Sequence, residues 1–206
     1  SLTPQCEQLI LIGDHKQLRP NPTVYQLARN YHLDVSLFER MVRNGMHCDT
    51  LEIQHRMRPE IARLIVPHIY EKLENHESVL KYGDVSGIEG NLFFLKHKYL
   101  EAGDENKSKS NDHEAEYLVA LCGYLLKQGY DPSSITILTL YTGQMFLIKN
   151  IARRKGITGV RITPVDNFQG EENDIILLSL VRSNDDGRIG FLSISNRVCV
   201  SLSRAK

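Results

Sequence analysis

Several common commitments are missing from this sequence. Its four cysteines, Cys6, Cys48, Cys122 and Cys199, are scattered, with no C-x-x-C pair and no histidine at ligand spacing. That argues against a disulfide framework or a zinc site and suits a reducing compartment. Net charge is zero, 25 Lys and Arg against 25 Asp and Glu. Tight binding by bulk electrostatics is therefore not expected, although a local basic groove is compatible with that balance. No apolar run reaches the roughly 18 residues of a membrane span, and nothing resembles a signal peptide. No internal repeat is visible, and no G-x-G-x-x-G follows a candidate strand, which disfavours a dinucleotide-binding metabolic domain.

What the chain does have is a 41% hydrophobic content, enough for a core, and an alternation of short apolar and amphipathic stretches. "QLILI" (8–12) suits a strand buried on both faces of a parallel sheet. "SLFERMVRNG" (36–45) predicts a helix with Ser36 and Glu39 as a capping box and Gly45 at its end. "EIARLIVPHIYEKL" (60–73) has helical spacing that Pro67 should break. "NLFFLKH" (91–97) reads as a strand, and the polar stretch 101–112 as a tolerant surface loop. With Asp112 as cap, a helix should run to Gly129. Strand "SITILTL", helix "GQMFLIKNIARRKG", strand "GVRIT", strand "DIILLSLV" and a last helical segment near "NRVCVSLSRAK" follow. This is the pattern of a parallel α/β sheet covered by helices. Ligands of such sheets sit at the carboxyl ends of the strands.

Four polar turns stand out: "GDHKQL" (13–18), "QHRMRP" (54–59), "VDNFQGEEND" (165–174) and "SLSRAK" (201–206). Arginine can neutralise charge that develops on a transferring phosphoryl group, and a glutamine can position the attacking water. Taken singly, each turn has a plainer reading. Arg56 or Arg204 would be a surface residue paired with a carboxylate, Gln17 a loop amide and Glu172 a solvated charge. Four such turns in this order are harder to dismiss.

The ordered set G-D-x-x-Q-L-x-P, Q-x-R-M-x-P, V-D-x-F-Q-G-x-E-x-D-x-I and L-[ST]-R-A-[KR] resembles the motifs of superfamily-one helicases. It is most similar to the up-frameshift-like RNA helicases, and within that branch to helicases that carry NFX-type zinc fingers elsewhere in their chains. The resemblance runs from residue 13 to residue 206. It implies a RecA-like parallel sheet flanked by helices, of the P-loop NTPase superfamily. Residues 1–45 would be the tail of a first lobe and residues 46–206 a second lobe. No G-x-x-x-x-G-K-[ST] occurs in the chain, so the phosphate loop and the magnesium ligand are expected upstream. The chain reads as a piece of something longer, inactive alone.

The resemblance also implies roles. Gln17 would sense the γ-phosphate of ATP bound with Mg2+. Arg56 and Arg204 would be arginine fingers, and Glu172 would hold the ribose. His55 stands where the family has a tyrosine that stacks near the base. Asp166 and Gln169 would couple the nucleotide to the nucleic-acid face. Thr139 and Tyr141 fall in a Thr-Leu-Tyr where the family has Thr-Pro-Tyr, and Thr163 stands beside a Pro164-Val165-Asp166 that replaces Thr-Val-Asp. Both changes bear on how a strand is gripped. The implied activity is that of an ATP-dependent helicase acting on single-stranded RNA, with DNA possible and the first lobe of the same chain as partner. No protein metal site, membrane span or obligate oligomer is expected. The setting would be intracellular, cytoplasmic rather than nuclear, with RNA surveillance and antiviral RNA defence as the associated processes. The competing reading is a non-catalytic RecA-like scaffold that binds RNA or protein.

Overall fold

The computed structural model describes residues 3–103 and 108–206. The chain divides into two compact units, Ser1–Thr50 and Leu51–Lys206.

The first unit holds two short helices, α1 (Tyr25–Tyr31) and α2 (Leu37–Arg43). The Ser36 hydroxyl caps α2 by accepting from the Glu39 amide at 3.0 Å. The second half of the expected capping box does not form. Glu39 is buried, and its carboxylate takes Arg19 and Arg43 at 2.6 Å each, because two cations outcompete one backbone amide. α1 was not legible in the sequence and buries no residue. Residues 8–12 form no strand. Ile10 and Ile12 are 81% and 95% exposed, since an apolar run becomes a strand only where a neighbouring strand offers a ladder.

The second unit opens with a two-stranded parallel sheet, β1 (Ile53–Gln54) and β2 (Glu74–Asn75), in the register Ile53 with Glu74 and Gln54 with Asn75. Between them lies α3 (Pro59–Ala62), which begins on a proline and stops well before Pro67. Met57, Ile61, Ala62 and Ile65 form a small core there.

The main body is a βα layer. α4 (Asp112–Lys127), β3 (Ile135–Thr139), α5 (Thr142–Arg154), β4 (Arg161–Pro164), β5 (Ile175–Ser179) and α6 (Ser195–Leu202) follow in order. The strands lie β4-β3-β5, all parallel, with Thr139 beside Pro164 on one side and Ser179 on the other. β3 is central and buried at every position, as expected of a parallel strand covered on both faces. Val119, Cys122 and Leu125 of α4 and Ile148 and Ile151 of α5 close the core over Ile135 and Ile137. The helical spacing of these residues is the apolar stripe that the sequence shows.

Two expectations are corrected. "NLFFLKH" makes no ladder among the described residues, and Phe93 and Phe94 are 67% and 74% exposed. Aromatic composition reports strand propensity without supplying a pairing edge. The stretch 101–112 is not uniformly a tolerant loop. Ala102 and Ser110 bridge antiparallel, Glu101 is anchored by three donors, and Asn111 is fully buried. Residues 104–107, the rest of that expectation, lie outside the described residues. Asn111, not Asp112, caps α4, its side chain accepting from the Glu114 amide at 3.1 Å.

Candidate functional site

The turn after β1 is built around Gln54. Its buried amide accepts from the Arg56 and Met57 amides at 2.9 and 2.7 Å and donates to the Met57 carbonyl and Asn75 at 2.6 and 2.7 Å. All four bonds of one side chain are used, so the "QHRMRP" turn is fixed. Arg56 leaves it and meets Glu172, Nε to Oε2 at 2.6 Å, with Nη1 reaching the Ser203 carbonyl at 3.3 Å.

Arg204 arrives from the other direction. Asn173 and Ala205 pair as a parallel bridge, and the Asn173 amide donates to the Arg204 carbonyl at 3.0 Å. That pins the tail after α6 beside residues 171–174. The Arg204 side chain is 1% exposed. Nη1 donates to the Glu171 carbonyl at 3.2 Å and Nη2 to the Ser203 hydroxyl at 2.7 Å. Its Nε has no hydrogen-bond partner among the described residues. Burial pushes this guanidinium below its ordinary value, and the Arg56 charge beside it adds to the shift. Glu172 is the nearby counter-charge, shared with Arg56 and, at 3.9 Å, with Lys206. Arg56, Glu172 and Arg204 are thus brought together from turns far apart in sequence.

His55, exposed, packs against His76 with ring centroids 4.0 Å apart and planes tilted by 33°. Gln17 lies in the unit Ser1–Thr50 and is described there alone. Its Nε2 donates to Asp14 at 3.1 Å while Asp14 accepts the Lys16 amide at 2.9 Å, so "GDHKQL" is an aspartate-centred turn.

A second group stands elsewhere. Tyr141 follows β3, and its ring stacks on Phe191 at 5.0 Å. Its hydroxyl accepts from the Phe191 amide at 3.2 Å and from Arg182 at 3.4 Å. Arg197 lies over Phe191 at 4.2 Å and forks onto Asp166 at 3.1 and 2.9 Å. Thr139 and Thr163 are buried, and the Thr139 hydroxyl accepts from the Tyr141 amide at 3.4 Å, so neither reaches outward freely. Gln169 is exposed.

These two groups sit at opposite edges of the sheet. Tyr141 and Asp166 follow the carboxyl ends of β3 and β4, whereas Glu172 and the paired Arg204 segment precede β5 at its amino end. Glu172 and Arg204, which the resemblance assigns to the nucleotide, thus lie away from the carboxyl ends where ligands of such sheets are expected. After β4 the chain must return across the sheet before a parallel β5 can start. "VDNFQGEEN" makes that crossing, with Asp166 on one side and Glu172 on the other.

Sequence reasoning missed the buried network that stiffens the carboxyl edge. The Gln144 amide exchanges bonds with the Asn111 backbone at 2.7 and 3.0 Å and donates to Ser179 at 3.0 Å, and Ser179 donates to Glu114 at 2.6 Å. A glutamine on the apolar stripe of α5 was the visible signal. Arg197 and Arg182 had no signal beyond being arginines in the right region. Among the described residues, no group of three His, Cys, Asp or Glu side chains is placed to hold a metal ion. None of their helices is long and apolar enough to cross a membrane.

A parallel sheet covered by helices, with two arginines brought to one end of it, is an α/β lobe of the kind the P-loop NTPase class uses. Comparison with known proteins narrows this. The family described as AAA domain matches residues 33–206. Over its whole length the chain is 58% identical to the NFX1-type zinc finger-containing protein 1 of Mus musculus, of which it covers 11%. Over 98% of its length it is 45% identical to the Helicase required for RNAi-mediated heterochromatin assembly 1 of Schizosaccharomyces pombe, covering 21% of that protein. Over 97% it is 35% identical to the Regulator of nonsense transcripts 1 homolog of Arabidopsis thaliana, covering 17%. The chain belongs to this AAA domain family, in the branch of the up-frameshift-like helicases. It spans about a tenth to a fifth of the length of these relatives.

Proposed function

We propose that this chain is the distal part of an ATP-dependent RNA helicase core, residues 1–45 ending a first RecA-like lobe and residues 46–206 forming the second. Arg56 and Arg204 act as arginine fingers toward ATP with Mg2+, Glu172 holds the ribose, His55 stacks near the base, and Gln17 senses the γ-phosphate. The phosphate loop and magnesium ligand belong to the first lobe of the same chain. Single-stranded RNA lies along the other end of the sheet, gripped near Thr139, Tyr141 and Thr163, with Asp166 and Gln169 coupling it to the nucleotide.

The supporting observation is Arg204. A buried guanidinium with an unbonded Nε–H, set beside a second guanidinium, is costly unless an anion completes it. The residues present therefore fit a polyphosphate. ATP would supply the transferring phosphoryl group, and what these side chains do is hold positive charge where negative charge develops.

In the full-length protein, Arg56→Ala and Arg204→Ala should each lower kcat about 10²-fold or more, the scale of an arginine finger. Nucleotide affinity should fall much less, because the charge they meet is greatest in the transition state. Near-normal kcat with RNA present in both variants would refute the roles. A full-length protein that binds RNA without hydrolysing ATP would favour the scaffold reading. The 206-residue chain alone should not turn over ATP, since its sequence contains no G-x-x-x-x-G-K-[ST] phosphate loop.

A further inference from the structure

The pairing of His55 with His76 follows from strand register. β1 and β2 are parallel with Gln54 beside Asn75, and the His76 amide donates to the Gln54 carbonyl at 3.0 Å. The next residues along, His55 and His76, are thereby neighbours. Gln54 and Asn75 turn their side chains to one face, where they bond at 2.7 Å. By the two-residue period of a strand, the two imidazoles share the opposite face. Their centroids are 4.0 Å apart and their planes 33° from parallel. His76 is also fixed from behind. Its Nδ1 accepts from the Ser78 amide at 3.2 Å and lies 2.9 Å from the Ser78 hydroxyl, capping the short 3-10 turn Glu77–Lys81. His55, by contrast, is exposed, and the residue after it, Arg56, reaches Glu172 at 2.6 Å.

We infer that His76 is a positioning residue for a nucleobase: it backs the His55 ring from behind, so that the outer face of His55 is a fixed platform for the purine of a nucleoside triphosphate. This rests on the proposed nucleotide site. A single exposed imidazole is a mobile stacking surface, and a second ring behind it, locked by its own cap, restrains its angle. The platform reads a π-face and no hydrogen-bonding edge, so adenine and guanine should be held alike.

Two substitutions at one position separate the ring from the cap. His76→Asn keeps a side-chain acceptor for the Ser78 amide and removes the ring. His76→Phe keeps a ring and removes the acceptor. In the full-length protein, dissociation constants are measured with magnesium for non-hydrolysable analogues of ATP and GTP and for inorganic tripolyphosphate. His76→Asn should weaken both nucleotide analogues by about 3- to 10-fold, the range of one aromatic pair, and leave tripolyphosphate within about twofold. His76→Phe should restore nucleotide affinity to within about twofold of the parent while lowering Tm, as loss of a cap does.

Unchanged nucleotide affinity in His76→Asn would overturn the platform. So would equal weakening of nucleotide and tripolyphosphate, which signals a deformed phosphate site. Failure of the parent protein to bind either kind of ligand would remove the nucleotide site itself, a result distinct from both.

Discussion

Glu114, in the first turn of α4, accepts the backbone amide of Val181 at 3.0 Å and the hydroxyl of Ser179 at 2.6 Å through one carboxylate oxygen. Its other oxygen lies 3.2 Å from His97. Val181 is fully buried and has φ of 71°, a conformation β-branched residues avoid. The helix therefore holds the end of β5 in a strained exit that delivers Arg182 to the Tyr141 hydroxyl.

Glu114→Ala should consequently cost more than a surface change. It orphans a buried amide and removes the group that compensates the strain, for a loss of about 2–4 kcal/mol. Urea unfolding of the 206-residue chain measures it. A loss under about 0.5 kcal/mol, the scale of a neutral surface substitution, would show that Val181 holds its conformation unaided.

Glu101 gives the pH dependence a definite sign. Burial alone would raise its carboxyl pKa, but hydrogen bonds from Arg182, Asn184 and the Ser183 amide, with the Arg182 charge, outweigh this and hold it below the usual carboxylate range. A carboxyl depressed on folding adds stability above its unfolded value near 4.3, and that stability is lost as pH falls through the folded value. Glu101→Gln should therefore lower stability by about 1–2 kcal/mol at pH 7, with the gap from the parent closing as pH drops below about 4. A gap that stays constant down to about pH 3 would mean that the charge contributes nothing.

The sequence carried the α/β layer and the four motif turns because both depend on local patterns. Apolar stripes on α4 and α5 are periodic, the short runs at β3 and β5 are mainly apolar, and Arg56, Glu172 and Arg204 sit in short fixed spacings. What it did not carry depends on pairing partners far along the chain. Residues 8–12 and 91–97 have strand composition but no ladder. Whether Asn111 or Asp112 caps α4 turns on which side chain is buried against Gln144. The split of the site between two sheet edges needed the strand order β4-β3-β5, which no window of residues encodes. His76 was invisible for the same reason, since its partner His55 is a neighbour only through the register of β1 and β2.

Arg204 should separate function from stability. A guanidinium that is 1% exposed, lowered in pKa by burial and then by Arg56, and unbonded at Nε loses hydration that two hydrogen bonds do not fully replace. Removing one partner of a buried ion pair is costly when it strands the other charge. Glu172, the counter-charge here, keeps Arg56 and Lys206 as partners when Arg204 is replaced. The case is therefore closer to exchanging a buried charge for apolar packing, which is often neutral or stabilising. Arg204→Met fills much of the same volume near Tyr70 and Cys199 without a charge to desolvate. The 206-residue chain carrying Arg204→Met should unfold in urea within about 1 kcal/mol of the parent, or up to about 2 kcal/mol later. The same substitution in the full-length protein should still lower kcat on the arginine-finger scale, roughly 10²-fold or more. A stability loss above about 3 kcal/mol would show instead that Arg204 is held for its own pairing and packing. Its unbonded Nε would then no longer support an anion as the missing partner.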